Sequence, residues 1–337
     1  MGVKLSNMDL SSNCATIYRV GFLLIDGYAL MSYSSAVEPL RAANLLNPGS
    51  YEILHICLDE GGATSSSGAN VPAIPIAKMS QQFDLILVVA GGDPFKINRA
   101  DLNTWLRRQA GLGAFIGGVS GGPVILSVSG LMDGYRMTLH WEHAKALAEV
   151  SPDLLIERSL YVIDRNRLTC AGGTAPLDMM HALITQHHGA DFARRVSDWF
   201  LHTTIRVSSA PQRAGLAERY RTHNESILMV IEVMENHVAE PLGLAQLAGV
   251  VGLGARQLNR LFKEKLGTST MAFYRQLRLS IAENLLLQSH LSVTDIAIAS
   301  GFVSSSRFSA TFKSHYGVAP SVLRSRAINK TVTGVLT

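Results

Sequence analysis

Residues 244–269 read LAQLAGVVGLGARQLNRLFKEKLGTS, and residues 293–321 read VTDIAIASGFVSSSRFSATFKSHYGVAPS. The two stretches are copies of one pattern. Leu247, Ala248, Gly252 and Leu253 match Ile296, Ala297, Gly301 and Phe302 at an offset of 49. Leu258, Phe262, Lys263 and Gly267 match Phe308, Phe312, Lys313 and Gly317 at an offset of 50. The one-residue slip falls in the turn. Each copy reads as a helix, a tight turn with Gly and a second helix. In a helix-turn-helix the second helix enters the major groove, and two copies suit successive grooves about 34 Å apart. A helical packing repeat without a DNA role is the alternative, and charge weighs against it.

The 337-residue chain carries 30 Lys+Arg and 26 Asp+Glu, a net charge of +4. Residues 1–212 hold 16 basic against 18 acidic groups, giving −2. Residues 213–337 hold 14 against 8, giving +6. A basic half points to nucleic acid or a membrane surface. The apolar runs Val20–Ile25 and Leu85–Ala90 are far below the roughly 20 residues that span a bilayer. At 47% hydrophobic and 17% charged, the chain is neither disordered nor collagen-like. Its length suggests two domains. Cys14, Cys57 and Cys170 are scattered, without C-x-x-C, which suits a reducing cytoplasm better than a disulfide framework. Met1–Thr16 has no apolar signal core.

Upstream, strand and helix signals alternate. Strands are predicted at Arg19–Ile25, Tyr51–Leu58, Phe83–Ala90, Ala114–Val119 and Arg167–Ala171. Helices are predicted at Ser35–Asn44, Leu102–Gln109, Pro123–Ser129 and Ala175–Gln186. The alternation implies a parallel sheet with helices on both faces. Ser208–Arg213 breaks the composition, and Ile227–Val238 is amphipathic. The expected division is a sensor domain at 17–207, a linker at 208–224 and an all-α domain at 225–328.

The repeat resembles the AraC/XylS-type DNA-binding domain over about residues 225–326, most specifically in GF…F…F…YGVAPS. VGFLLIDGY…AVEPLRAAN, LVVAGG, GGVSGG and MTLHWEH resemble the DJ-1/PfpI family, also called class I glutamine amidotransferase-like. The resemblance implies a flavodoxin-like α/β domain followed by two helix-turn-helix motifs. Together these look like ligand-responsive AraC-type transcriptional regulators with an amidotransferase-like sensor. WFLHTTIR resembles members that control catabolism of arginine, carnitine or glycine betaine. The partners implied are double-stranded DNA, a small-molecule effector, a second copy through the sensor and RNA polymerase, in the cytoplasm. No cofactor and no membrane are implied.

For DNA, the resemblance puts Arg256, Asn259 and Arg260 toward the bases and Gln257 beside them, on a helix starting near Gly254. Arg pairs with guanine and Asn with adenine, each worth about 1–3 kcal/mol of discrimination. Lys263 and Lys265 suit phosphate. The second helix offers Ser304, Ser305, Ser306, Arg307, Ser309 and Lys313, with Ala310 where the family commonly has Arg. Its short hydroxyls reach base edges poorly, so the first helix is expected to carry more sequence information. A solvated charged face is the bland alternative for any one residue.

In the sensor, Gly118-Val119-Ser120-Gly121-Gly122 is a G-x-S-x-G string between strand and helix, the layout of a nucleophile elbow. The family places Cys where this chain has Ser120. His140 and Glu38 match its His and acid positions, so the three could be drawn as a triad. Gly91 and Gly92 would offer backbone N–H groups. Against catalysis, serine needs a well-placed base, and Glu38 precedes the nucleophile. The reading is an effector site of Glu38, Gly91, Gly92, Ser120, Gly121, His140 and Trp141. A serine hydrolase or amidase fused to a DNA-binding domain is the alternative, and a purely structural dimerisation domain a third. His140 and His143 lack a third metal ligand. For a quaternary ammonium effector, Trp141 is the candidate aromatic face, Tyr28 and Tyr33 weaker ones, and Glu38 or Glu142 the counter-charge.

Overall fold

The computed structural model describes residues 17–289 and 291–325. Cys14 and the last residues assigned to the second domain, 326–328, lie outside the described residues. The chain runs β1 (Tyr18–Leu24), α1 (Leu30–Leu46), β2 (Tyr51–Cys57), β3 (Ala63–Thr64), β4 (Asn70–Val71), β5 (Ile74–Pro75), β6 (Leu85–Ala90), α2 (Ala100–Gly111), β7 (Phe115–Ser120) and α3 (Gly122–Val128). It continues through β8 (Arg136–Met137), α4 (Trp141–Val150), β9 (Leu155–Ile156), β10 (Tyr161–Asp164), β11 (Arg167–Cys170), α5 (Ala175–His188) and α6 (Ala190–Trp199).

Seven strands form one sheet in the order β10-β11-β7-β6-β1-β2-β5. β6, LILVVA, is buried at every position, as a central strand covered on both faces must be. Helices α1, α5 and α6 cover one face, where Tyr28, Leu40 and Met179 are core residues. Leu102 and Trp105 of α2 and Ile125 of α3 pack on the other. The sheet departs from the all-parallel expectation at one edge, where β10 runs antiparallel to β11. Only Arg165 and Asn166 join them, Arg165 at φ +55, and a two-residue loop can join only antiparallel neighbours. The order reverses at β1, between β2 and β6. Open α/β sheets bind ligands beyond the carboxyl ends of strands at such a switch point.

Downstream are α7 (Leu216–Tyr220), α8 (Glu225–Asn236), α9 (Leu244–Val250), α10 (Ala255–Leu266), α11 (Thr270–Gln288), α12 (Val293–Ala299) and α13 (Ser305–Tyr316), and residues 320–325 are helical. The repeat becomes two small cores. Ile227, Val230, Leu247, Leu258, Phe262 and Tyr274 form one; Leu279, Ala282, Leu285, Ile296, Phe308 and Phe312 form the other. Helix α11 contributes to both and ties the two helix-turn-helix units together. The paired turn glycines, Gly252 and Gly301, adopt φ +65 and +72, a left-handed conformation that side chains resist. Among the described residues no helix is long and apolar enough to cross a membrane.

The expected linker, 208–224, is tethered at both ends. Ser208 accepts a hydrogen bond from Leu160 N at 2.8 Å, Pro211 bridges Ser159, and Gln212 Nε2 donates to Thr138 Oγ1, Leu139 O and Ser159 O at 3.0, 3.0 and 2.8 Å. Toward its other end, Arg219 of α7 forms an ion pair with Glu235 of α8 at 3.0 Å, and Tyr220 meets Phe273 edge-on. Backbone polar groups need partners, and these find them on the adjoining domains. Ser208–Gln212 is therefore tied to the sensor domain, and the stretch between the anchored ends is short.

Candidate functional site

The sharp turn after β7 puts Ser120 in the left-handed region, at φ +61, and leaves it 6% exposed. Such a backbone is strained for a residue with a Cβ. Gly121 does not offer a free amide there, because its N–H donates to Ala90 O at 3.0 Å. On the opposite side Gly172 runs at φ +92, and a Cβ on it would sit 2.7 Å from Ser120 Cβ and 2.8 Å from Ser32 Oγ. Ser32, 1% exposed, accepts from Gly173 N at 2.8 Å. It is thus Ser32 that α1 presents at the elbow. α1 starts well before the predicted Ser35, which places Ser32 in its first turn.

Glu38 does not join this group. It lies six residues on, about 9 Å along the axis, and its carboxylate is held by Arg41 at 2.6 Å with 39% of the side chain exposed. Among the described residues no hydrogen bond or ion pair links Glu38 to Ser120 or His140, its partner being Arg41.

His140 N donates to Ser120 O at 3.2 Å. Its ring caps α4, Nδ1 accepting from Glu142 N at 3.4 Å. Burial holds the imidazole below its ordinary pKa despite nearby Glu142. His143, 3% exposed, is pushed by burial, with His140 adding, down to about 4. Its Nδ1 has no hydrogen-bond partner among the described residues, and Phe95 meets the ring edge-on. Cys170, at the end of neighbouring β11, is fully buried and pushed up to about 12, so it is no thiolate.

Trp141 does not present an open ring. The Arg213 guanidinium carbon sits 4.3 Å from its centre. Tyr28 and Tyr33 are core residues, 0% and 8% exposed, Tyr33 Oη bonded to His55 Nε2 at 2.7 Å. Their faces are spent on packing, and Glu142 rather than Glu38 is the acid beside His140. Gly91 and Gly92 follow β6 and lead through a 3-10 turn, Pro94–Lys96, whose Phe95 touches both the sensor core and the second helix-turn-helix core. Ser32, Phe95 and Arg213 were missed: a serine, a phenylalanine and a linker arginine carry no motif.

On α10, Leu258 and Phe262 are fully buried, and Arg256, Gln257, Arg260 and Lys263 are exposed. Two side chains expected to face DNA are engaged within the fold. Asn259 Oδ1 accepts from Thr270 N at 3.0 Å and so caps α11. Gln257 Oε1 accepts from Gly254 N at 2.9 Å. The repeat explains the first: the partner of Thr270 is Pro320, which has no N–H to cap, so Ser309 is spared that duty. Arg260 lies 3.6 Å from Glu264, both well exposed. On α13, Ser304 caps the helix by accepting from Arg307 N at 3.3 Å. Ser306, Arg307 and Lys313 are exposed, Ser305 and Ser309 partly so.

Known proteins agree with both halves. Residues 18–186 match the DJ-1/PfpI family and residues 247–326 a helix-turn-helix domain. The chain is 44% identical to HTH-type transcriptional regulator GlxA of Rhizobium meliloti (strain 1021), covering 95% of this chain and 99% of that one. It is 39% identical to HTH-type transcriptional regulator CdhR of Pseudomonas aeruginosa over 89% of each. A crystal structure of an AraC family transcriptional regulator from Pseudomonas putida matches with a TM-score of 0.50 and 27% identity, over 54% of this chain and 99% of that one.

Proposed function

Because the chain belongs to the AraC-type helix-turn-helix transcriptional regulators that carry an N-terminal DJ-1/PfpI domain, we propose that it senses a small metabolite at the Ser120 elbow and passes the signal to DNA through α4. One observation carries this. The N-cap of α4, His140, is bonded to Ser120, and Ala146 of the same helix is a core member of the cluster formed by α11, α12 and α13. One rigid helix therefore touches both the site and the DNA-binding core. An effector that prefers one placement of α4 shifts the placement of the two recognition helices.

The effector in this reading is a cationic or zwitterionic metabolite of the amino acid, carnitine or betaine class. Its cationic group takes the Trp141 face that Arg213 covers, beside Glu142. The sensor dimerises, and the regulator activates transcription with RNA polymerase at promoters of catabolic genes. Arg256 and Arg260 read guanines, Lys263 and Lys313 hold phosphates, and the serines of α13 add short contacts. The proposed units are a sensor from 17 to about 212 and a DNA-binding domain from about 216 onward.

The experiment is operator affinity by fluorescence anisotropy, with and without betaine, carnitine, choline and arginine, alongside thermal shift. The expected result is one compound that raises the melting temperature and changes operator affinity at least fivefold. Ala146→Glu keeps the thermal shift but loses the change in affinity. No stabilisation by any compound removes the effector class. A retained affinity change in Ala146→Glu removes the α4 route.

The strained Ser120 favours one rival, a serine hydrolase. Ester and amide turnover, with Ser120→Ala as control, tests it, and no turnover above that control is expected.

A further inference from the structure

The repeat in the DNA-binding domain contains one residue too many in its second copy, and the structure identifies it. Leu253 N donates to Ala248 O at 3.0 Å, and Phe302 N donates to Ala297 O at 2.8 Å. Leu253 and Phe302 are therefore equivalent, and both pack on their domain cores. The next equivalent pair is the helix N-caps, Gly254 and Ser304. Gly254 directly follows Leu253, whereas Val303 stands between Phe302 and Ser304. Val303 is the inserted residue.

Val303 is also 92% exposed, more than any other large hydrophobic residue among those described. The core does not need it, because Phe302 already fills the position that Leu253 fills in the first copy. A residue just ahead of an N-cap commonly turns inward to staple the first helical turn. Here that packing is absent, and an isopropyl group stands in solvent at the leading end of a recognition helix. In helix-turn-helix docking the N-terminal residues of this helix meet the base edges. The outward residues that follow are Ser306, Arg307 and Ala310, which are mostly short or apolar.

We propose that Val303 is a specificity determinant that reads the C5-methyl group of a thymine in the subsite of the second helix-turn-helix. Thymine is the one base that offers a methyl group in the major groove, and apolar side chains recognise it there. Ala310 and the Ser306 hydroxyl are chemically suited to the same A·T step, the hydroxyl toward thymine O4. The two units then read different chemistry: guanine edges by the arginines of α10, and methyl groups by α13. The inference rests on the DNA-binding reading above. It replaces the view of α13 as merely a weaker copy of α10.

The test starts with in vitro selection of duplex DNA from a random library by the full-length chain. Each thymine of the selected operator is then replaced by deoxyuridine, which deletes only the methyl group. One thymine in the α13 half of the site is expected to lose about fourfold in affinity on replacement, the worth of one buried methyl. Val303→Ala should lose a similar factor on the thymine operator and become insensitive to that replacement. Val303 is exposed, so the variant folds as the parent does, which circular dichroism checks. A flat deoxyuridine scan, or an unchanged scan in Val303→Ala, overturns the proposal. So does a variant that binds DNA as the parent does but fails to activate transcription, since that assigns Val303 to a polymerase contact. A selection that yields no preferred sequence overturns the DNA-binding reading itself, and the proposal with it.

Discussion

The Arg213 guanidinium lies over the Trp141 indole, 4.3 Å from carbon to ring centre. The stack joins the first residue of α4 to the last anchored residue before the DNA-binding domain. Gln212, next to Arg213, is bound three times to the sensor, so the arginine is delivered to the ring by a fixed strap. A cation over the face of Trp is worth about 0.5–2 kcal/mol.

A quaternary ammonium effector must displace that cation. Arg213→Ala should therefore tighten binding of such an effector by about three- to tenfold, within the range of a cation–π contact. Isothermal titration measures it. The same variant should respond less in operator affinity, because the strap no longer reports occupancy of the ring. Weaker effector binding in Arg213→Ala would show that the arginine helps hold the ligand instead.

Stability should fall on mild acidification. His143 is held at about 4 when folded, against 6.5 when free, and burial lowers His140 as well. Between those pH values the unfolded chain binds protons that the folded chain refuses. Stability is full above about pH 6.5 and is lost progressively as pH drops toward 4. For His143 the full difference is roughly 3 kcal/mol. Urea unfolding at pH 7.5, 6 and 5 should show the loss, and His143→Leu should lessen it, leaving the share of His55, His140, His181, His187 and His188, which burial also lowers. Equal slopes in both proteins would place the pH dependence elsewhere.

Asn259 and Arg256 should fail in different ways. Asn259→Ala removes the acceptor for Thr270 N and should cost about 1 kcal/mol of stability, as lost caps do. It should leave base preference unchanged. Arg256→Ala should leave stability within about 0.5 kcal/mol and relax preference at one guanine by about 1–3 kcal/mol. Ser305→Ala should relax preference less than Arg256→Ala. Paired thermal melts and binding to an operator series separate the cases. A base-specific loss in Asn259→Ala would reverse the assignment.

Asp178 should be the most sensitive charged position of the sensor. Its side chain is fully buried and accepts from Arg206 Nε and Nη2 at 2.9 and 2.7 Å, from Arg206 N at 2.9 Å, and bonds His202 Nε2 at 2.9 Å. This lashes the WFLHTTIR segment to α5. Asp178→Ala leaves the guanidinium without its counter-ion and should cost about 3 kcal/mol. Arg206→Lys should recover little, since one ammonium cannot make the paired contact. Denaturant midpoints read both.

Much of the architecture was legible in the chain. Runs such as LILVVA, short and ended by glycines, read as strands covered on both faces, and the Gly-centred repeat announced two equal helical units. The edge strand β10 carried a weaker pattern. β10 is four residues long, too short a window for periodicity to decide. At the site, Ser120 was marked by a G-x-S-x-G string between strand and helix, and His140 by its match to the family's His position. Ser32 was not, because its role depends on which turn of α1 faces β7.

By itself the sequence determined the two-domain order, the strand–helix alternation, the doubled helix-turn-helix and the split in charge. These follow from local periodicity and composition, which are one-dimensional properties. Only the tertiary structure decided which side chains are free. It turned Asn259 into a cap, gave Glu38 to Arg41, laid Arg213 on Trp141, ran α4 from the elbow to the DNA-binding core, and left Val303 as the unpaired residue of the repeat. A side chain's hydrogen bonds and burial are set by residues distant in sequence, so no local pattern records them.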